Sequence, residues 1–241
     1  MLPTRGMSEA LQIRYRFDLP DGSTKYLDLT FAAADFRLLN PTPAEPPFWT
    51  ELRFSQCVNC PLSAAEISHC PAALQMAPAV ESLKALVSFD TVGVTVTQGE
   101  RTVHAETTAQ QAMSSVIGLI MATSGCPWTD RLRPMARFHL PFATEAETVY
   151  RTVCMFLLAR ELTGAGGVGG FAPLKDLYEN LHVVNRDMSR RLGAATRTDP
   201  ARNAMALLDS YTTLLPAALE SSLEELKPLF DAWRSPAAPS I

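Results

Sequence analysis

Charge is scarce in this chain. Asp, Glu, Lys and Arg make up 19% of its 241 residues and leave a net charge of -4. With no basic excess, a broad electrostatic grip on nucleic acid is not expected. Long apolar runs are also missing. The most apolar windows, residues 116–122 and 153–159, fall far short of the roughly 20 residues a membrane helix needs. Residues 1–9 carry neither an apolar core nor a cleavage-site pattern, so no secretory leader and no membrane contact are expected, and the cytoplasm is the expected compartment. The familiar catalytic fingerprints are absent too: no G-x-S-x-G, no H-E-x-x-H, no Walker loop and no dinucleotide fingerprint. The glycine-rich stretch 164–170 follows a helical pattern rather than a strand, which argues against a phosphate cradle. Cysteine is sparse as well, five in all, and that number without a leader fits thiols or metal ligands better than a disulfide framework.

What is present is enough apolar material to fold. Hydrophobic residues are 47% of the chain, sufficient for a sizeable core. Leu11, Ile13, Tyr15, Phe17 and Leu19 alternate with polar neighbours, the period of a strand with one buried face. Pro20-Asp21-Gly22 is turn chemistry, and Leu27, Leu29 and Phe31 supply the return strand of a hairpin. Residues 40–47 hold four prolines and read as a connector. Residues 71–89 read as one or two short helices interrupted near Pro78. Val92, Val94 and Val96, a turn at Gln98-Gly99-Glu100, then Val103, Ala105 and Thr107 give a second hairpin.

From residue 108 the period changes to that of helices. Ala109, Ala112, Met113, Val116, Ile117 and Ile120 share one face. Thr144 and Glu147 form a capping box, which starts a helix at Glu145 with a stripe through Val149, Val153, Phe156 and Leu157 and an end near Gly164. Another amphipathic stripe runs from Leu174 to Met188 and is expected to stop at Gly193. Asp199-Pro200 caps a further helix with Leu207, Leu208, Tyr211, Leu214 and Leu215 on one face, which Pro216 is expected to break or kink. Leu219, Leu223, Leu226 and Phe230 make the last stripe. Strands first and helices after indicate an α+β fold: an N-terminal antiparallel sheet of about four strands in two hairpins, and a mainly helical C-terminal half. The expected organisation is a single domain over residues 1–234, strand-rich over 8–107 and helical over 108–234, with a flexible tail at 235–241 and no internal repeat.

The chemistry concentrates in residues 54–71. Cys57 and Cys60 have the C-x-x-C spacing, whose short turn points two thiolates at one ion. Two more soft ligands are needed, and Cys70 and Cys126 supply them. Each precedes a proline, which places it at an expected helix start where unpaired N–H groups favour the thiolate that ligation requires. Four thiolates suit zinc or an iron–sulfur cluster, and the spacing matches neither a zinc ribbon nor a ferredoxin run well enough to choose. His69, beside Cys70, is the reserve ligand. The alternative is that the cysteines are small buried apolar residues, as Cys154 is read on its helix stripe. Cys126-Pro127-Trp128-Thr129 also has the C-x-x-[ST] form of thiol-exchange motifs, though no β-α-β pattern surrounds it. Arg133, Arg137 and His139 are the candidate anion-binding residues, because guanidinium forks match carboxylate and phosphate; pairing of these arginines with Asp130 and Glu145 is the competing explanation. His104 reads as a solvated strand residue and His182 as structural.

Residues 54–62, Cys70-Pro71 with Ala73, residues 123–127 and the run from Arg133-Pro134-Met135 to Ala143 together resemble a bacterial family defined only as a domain of unknown function. The resemblance spans about residues 11–208 and implies a bacterial cytoplasmic setting, with no activity to carry over. The expected role is a soluble metal-binding protein with a structural or sensory four-cysteine site. The alternatives are a thiol- or iron–sulfur-based redox enzyme, and a protein–protein interaction module that dimerises or docks a partner through the helical half.

Overall fold

Alternation decides the first half of the chain. The computed structural model describes residues 10–165, 170–195 and 200–234, and begins with strands β1 (Ala10–Asp18) and β2 (Thr24–Ala32). The turn between them needs Gly22 at a φ of 81°, a left-handed conformation that a side chain would strain. The second hairpin is β3 (Thr91–Gln98) and β4 (Arg101–Thr108), turned at Gly99. One antiparallel sheet results, in the order β2-β1-β3-β4. Tyr15 stands opposite Val96 and Phe17 opposite Val94 where the hairpins join. Ile13, Tyr15, Phe17, Leu29, Phe31, Val92, Val94 and Val96 are all buried, so the period-two pattern marks the face that carries the core.

Six α-helices follow among the described residues: α1 (Pro71–Ser82), α2 (Ala109–Met121), α3 (Arg133–Arg137), α4 (Glu145–Leu162), α5 (Ala172–Ala195) and α6 (Pro200–Leu226). The α+β expectation therefore holds. Helix α1 begins with Pro71, whose missing N–H is one the first turn leaves unpaired anyway. It is one helix, not two: Pro78 lies inside it, and burial of Ala72, Ala73, Met76, Ala77, Ala79 and Val80 outweighs the single hydrogen bond that proline removes. Helix α4 starts where expected, with Thr144 and Glu147 forming both bonds of the capping box. Its buried face is Val149, Thr152 and Val153, so Leu157 and Cys154 of the expected stripe turn out to be exposed.

Gly193 does not stop α5, which runs on to Ala195. A Cβ there would lie 3.0 Å from the Arg202 side chain, so this glycine serves the close approach of α6. Helix α6 begins at Pro200 and continues through Pro216 without a break. Its Tyr211 and Leu214 are exposed, while Leu215 and Leu219 are buried. Asp199, residues 166–169 of the glycine loop and the 235–241 tail lie outside the described residues.

Two hydrophobic clusters form among the described residues. The larger joins the sheet to α1, α2 and the facing halves of α5 and α6. The smaller lies between α4, the start of α5 and the end of α6. Among the described residues no helix is long and apolar enough to cross a membrane.

Candidate metal centre

The cysteine loop is built from short turns. Ser55 enters it at a φ of 46°, a strained conformation for a residue with a side chain. The Cys60 N–H donates to the Cys57 carbonyl at 3.0 Å and closes the C-x-x-C turn, and Gln56 Nε2 donates to the Leu62 carbonyl at 3.0 Å across it. The loop is docked on α5: the Val58 N–H donates to Asp187 Oδ2 at 3.0 Å, and Asn59 Nδ2 donates to the carbonyl and the side-chain oxygen of Asn180 at 3.1 and 3.0 Å.

Cys70 enters from the other side. Its N–H donates to the Thr50 carbonyl at 2.8 Å, and it occupies the cap position of α1, the helix start its Pro71 predicts. Cys126 does not cap a helix. Pro127 lies in a turn before a 3-10 stretch, Thr129–Leu132, and the Cys126 carbonyl accepts from Asp130 N at 2.9 Å. The Asp130 carboxylate in turn accepts from Gly125 N at 3.1 Å, so this acid holds the turn that a helix was expected to hold. The indole N–H of Trp128 donates to the Asn59 carbonyl at 2.8 Å, which ties the Cys126 turn to the Cys57–Cys60 turn.

The structure thus gathers all four cysteines. Cys57, Cys60, Cys70 and Cys126 are free thiols packed in or against the same core cluster. Burial pushes the Cys57 thiol up to about 12, and the nearby Cys70, Cys126, Asp187 and Cys60 add to the rise because a thiolate there would meet their negative charge. Burial raises Cys70 as well; the N–H groups of Ala73 and Ala72 and the charge of Arg191 pull against it. Among the described residues no three His, Cys, Asp or Glu side chains already stand close enough to share an ion.

Two residues of this site escape a reading by motif. Arg191 is 1% exposed, yet its guanidinium meets no carboxylate among the described residues. Nη1 donates to the carbonyls of Trp49 at 2.7 Å and Glu51 at 2.6 Å, Nη2 to that of Leu52 at 3.3 Å, and the cation lies 5.9 Å from the Phe54 ring centre. Its Nε has no partner among the described residues. Asp187, one turn earlier, is also buried. Burial acts to raise its pKa, but the hydrogen bond from Arg186, the Val58 N–H and the charges of Arg186 and Arg190 outweigh that and hold it below the usual range. The signal is present in the spacing: 184, 187, 188, 191 and 192 share one helix face, so two charges lie on an apolar stripe.

The other candidates are placed elsewhere. His69 bonds Ser68 Oγ through Nδ1 at 2.8 Å, and no thiol is among its described partners. Arg133 is taken by Asp130 in an ion pair, and Arg137 lies over the rings of Phe36 and Phe138. His139 Nε2 is hydrogen-bonded to Tyr15 Oη at 2.5 Å. No described contact joins these three into one anion cradle. His104 is exposed, and His182 is held by Asp209 at 2.6 Å.

A family model described as a domain of unknown function, DUF6901, matches residues 13–231. No curated protein and no solved structure matches the chain.

Proposed function

The chain belongs to the DUF6901 family, a domain of unknown function, so its role rests on its own side chains, and we propose that Cys57, Cys60, Cys70 and Cys126 hold one zinc ion or iron–sulfur cluster as a structural or sensory site. The observation that supports this reading is a buried cation with no carboxylate partner among the described residues, whose charge acts on Cys70, one of four cysteines packed in or against one core cluster. An unpaired charge in a protein interior is expensive, and among the described residues the Arg191 guanidinium hydrogen-bonds only to carbonyls and lies over one ring. Four thiolates on one divalent ion carry two surplus negative charges, which would give that cation a counter-ion. The three half-buried cysteines on turns, Cys57, Cys60 and Cys126, have the freedom to close on an ion once it replaces their protons.

Thiol exchange, the other form of the redox alternative, would run through Cys126; rapid, selective alkylation of Cys126 favours it, and four inert thiols count against it. A redox role through an iron–sulfur cluster uses the same four ligands. Reduced thiols belong in a reducing compartment, which is the reason to place this protein in the cytoplasm.

Elemental analysis with an absorption spectrum, on protein purified without air, tests the site. About one zinc per chain without visible absorption is the expected result for a structural or sensing site; iron with sulfide and a brown colour indicates a cluster. Cys57→Ser is expected to lose both the metal and thermal stability. Unchanged metal content in that variant sinks the proposal.

A second reading is favoured by one observation. Tyr150, Leu157, Leu158 and Leu162 of α4 are exposed apolar residues, the composition of a helix that meets a second chain. Light scattering at increasing concentration decides between a homodimer and a monomer.

A further inference from the structure

Away from the cysteines, a cavity of about 520 Å³ opens between α2, α4, α5, α6 and the segment after α3. It falls in the 300–1,000 Å³ range typical of small-molecule sites. Most of its wall is aliphatic, with Leu119, Met135, Val149, Leu181, Leu208 and Leu215 among the lining residues. Its ionisable lining residues include Arg151, His139, Glu106 and Glu145.

Arg151 lines the cavity. Its Nη2 is held in place by the carbonyls of Met135 at 2.8 Å and Phe138 at 2.9 Å. That leaves Nε and Nη1 without a partner among the described residues, and no carboxylate forms an ion pair with it there. Glu147 exerts a favourable field on it, but the Glu147 carboxylate is committed to the Thr144 N–H and hydroxyl at the start of α4. The acidic lining residues Glu106 and Glu145 are both exposed. His139, also on the wall, has Nε2 engaged by Tyr15 Oη, which in turn meets Ser115 Oγ at 2.8 Å. Burial and the Arg151 charge hold this imidazole neutral, at about 4. Its Nδ1 has no described partner.

We infer that the cavity binds an amphipathic aliphatic monocarboxylate, with the carboxylate on the free edge of Arg151, within reach of His139, and the chain along the aliphatic wall. One guanidinium balances one negative charge, which favours a carboxylate over a phosphate monoester. The aliphatic wall favours a flexible hydrocarbon tail over a flat aromatic ring. The acceptor selects the imidazole tautomer in which the Tyr15 hydroxyl donates to Nε2 and Nδ1–H is the donor.

Titration calorimetry on the full chain tests this, with decanoate below its micellar concentration and decanol as the uncharged probe. Saturable binding of about one decanoate per chain is expected. Arg151→Gln is expected to weaken decanoate about tenfold or more while leaving decanol within a few-fold, since a hydrogen-bonded charge is what it removes. Leu208→Trp, which fills the tail space without touching the charge, is expected to abolish both. Absence of saturable decanoate binding overturns the proposal, as does an equal loss of both probes in a folded Arg151→Gln protein. Should Arg151→Gln fail to fold, Leu208→Trp decides alone: retained decanoate binding overturns the assignment, and lost binding supports it.

Discussion

Arg191 is a buried side chain that ties together distant parts of the chain. It donates to three main-chain carbonyls of residues 49–52, the segment that leads into the cysteine loop. Replacing it leaves those acceptors unpaired, so Arg191→Met is expected to lower stability by about 3 kcal/mol. If the cation also balances a metal–thiolate centre, the drop is larger in metal-loaded than in chelated protein. Urea melts with and without chelator measure the difference, and equal drops confine Arg191 to the scaffold. His139 gives a prediction with a definite sign. Its pKa falls from 6.5 to about 4 on folding, so between those values the unfolded chain binds the extra proton. Stability from this group is complete above about pH 6.5 and is lost as pH falls toward 4. The full shift converts to about 3 kcal/mol, and solvent access to this half-buried ring reduces it to about 1–2. His139→Gln is expected to flatten the difference between denaturant midpoints at pH 7 and pH 5; an unchanged slope assigns the acid sensitivity to the carboxylates instead.

Elements are legible in the sequence wherever the local pattern and the buried face agree. The alternation of Ile13, Tyr15 and Phe17 marks the core side of β1, and the Thr144–Glu147 box sets the first residue of α4. Thr144→Ala removes the cap and is expected to cost about 1 kcal/mol, read as a lowered Tm with an unchanged denaturant slope. A wild-type Tm makes the cap dispensable to a helix already held by Val149 and Val153. Breakers mislead where packing outweighs them. Pro78 and Pro216 each remove one hydrogen bond from a helix whose buried face survives, and Gly193 accommodates Arg202. Cys154 lies one residue off the buried stripe: Val153 is buried and its neighbour, about 100° further round the helix, is not.

At the scale of the molecule, the cysteines are legible in the sequence and their surroundings are not. Spacing and proline neighbours mark Cys57, Cys60, Cys70 and Cys126, because ligand residue types are local information. The docking of the loop on Asp187 and the field of Arg191 at Cys70 join segments more than 100 residues apart, which no local pattern encodes. An ion held by these four thiols would fasten the loop, the start of α1 and the turn after α2 together, and binding would become part of folding. Metal removal is therefore expected to lower the Tm and added zinc to raise it; the stabilisation grows with the ratio of free zinc to Kd, about 2.7 kcal/mol at a hundredfold ratio. The sign with pH follows from the thiols. Each must lose its proton to bind, and Cys57 holds its proton up to about 12 in the metal-free fold. Affinity accordingly climbs as pH rises, and the same free zinc is expected to raise the Tm more at pH 8 than at pH 6.5. Thermal melts in a zinc-buffered series at the two pH values read this directly. A Tm that ignores zinc at both leaves the four thiols as core packing, whereas a larger rise at pH 8 that Cys57→Ser abolishes makes them ligands.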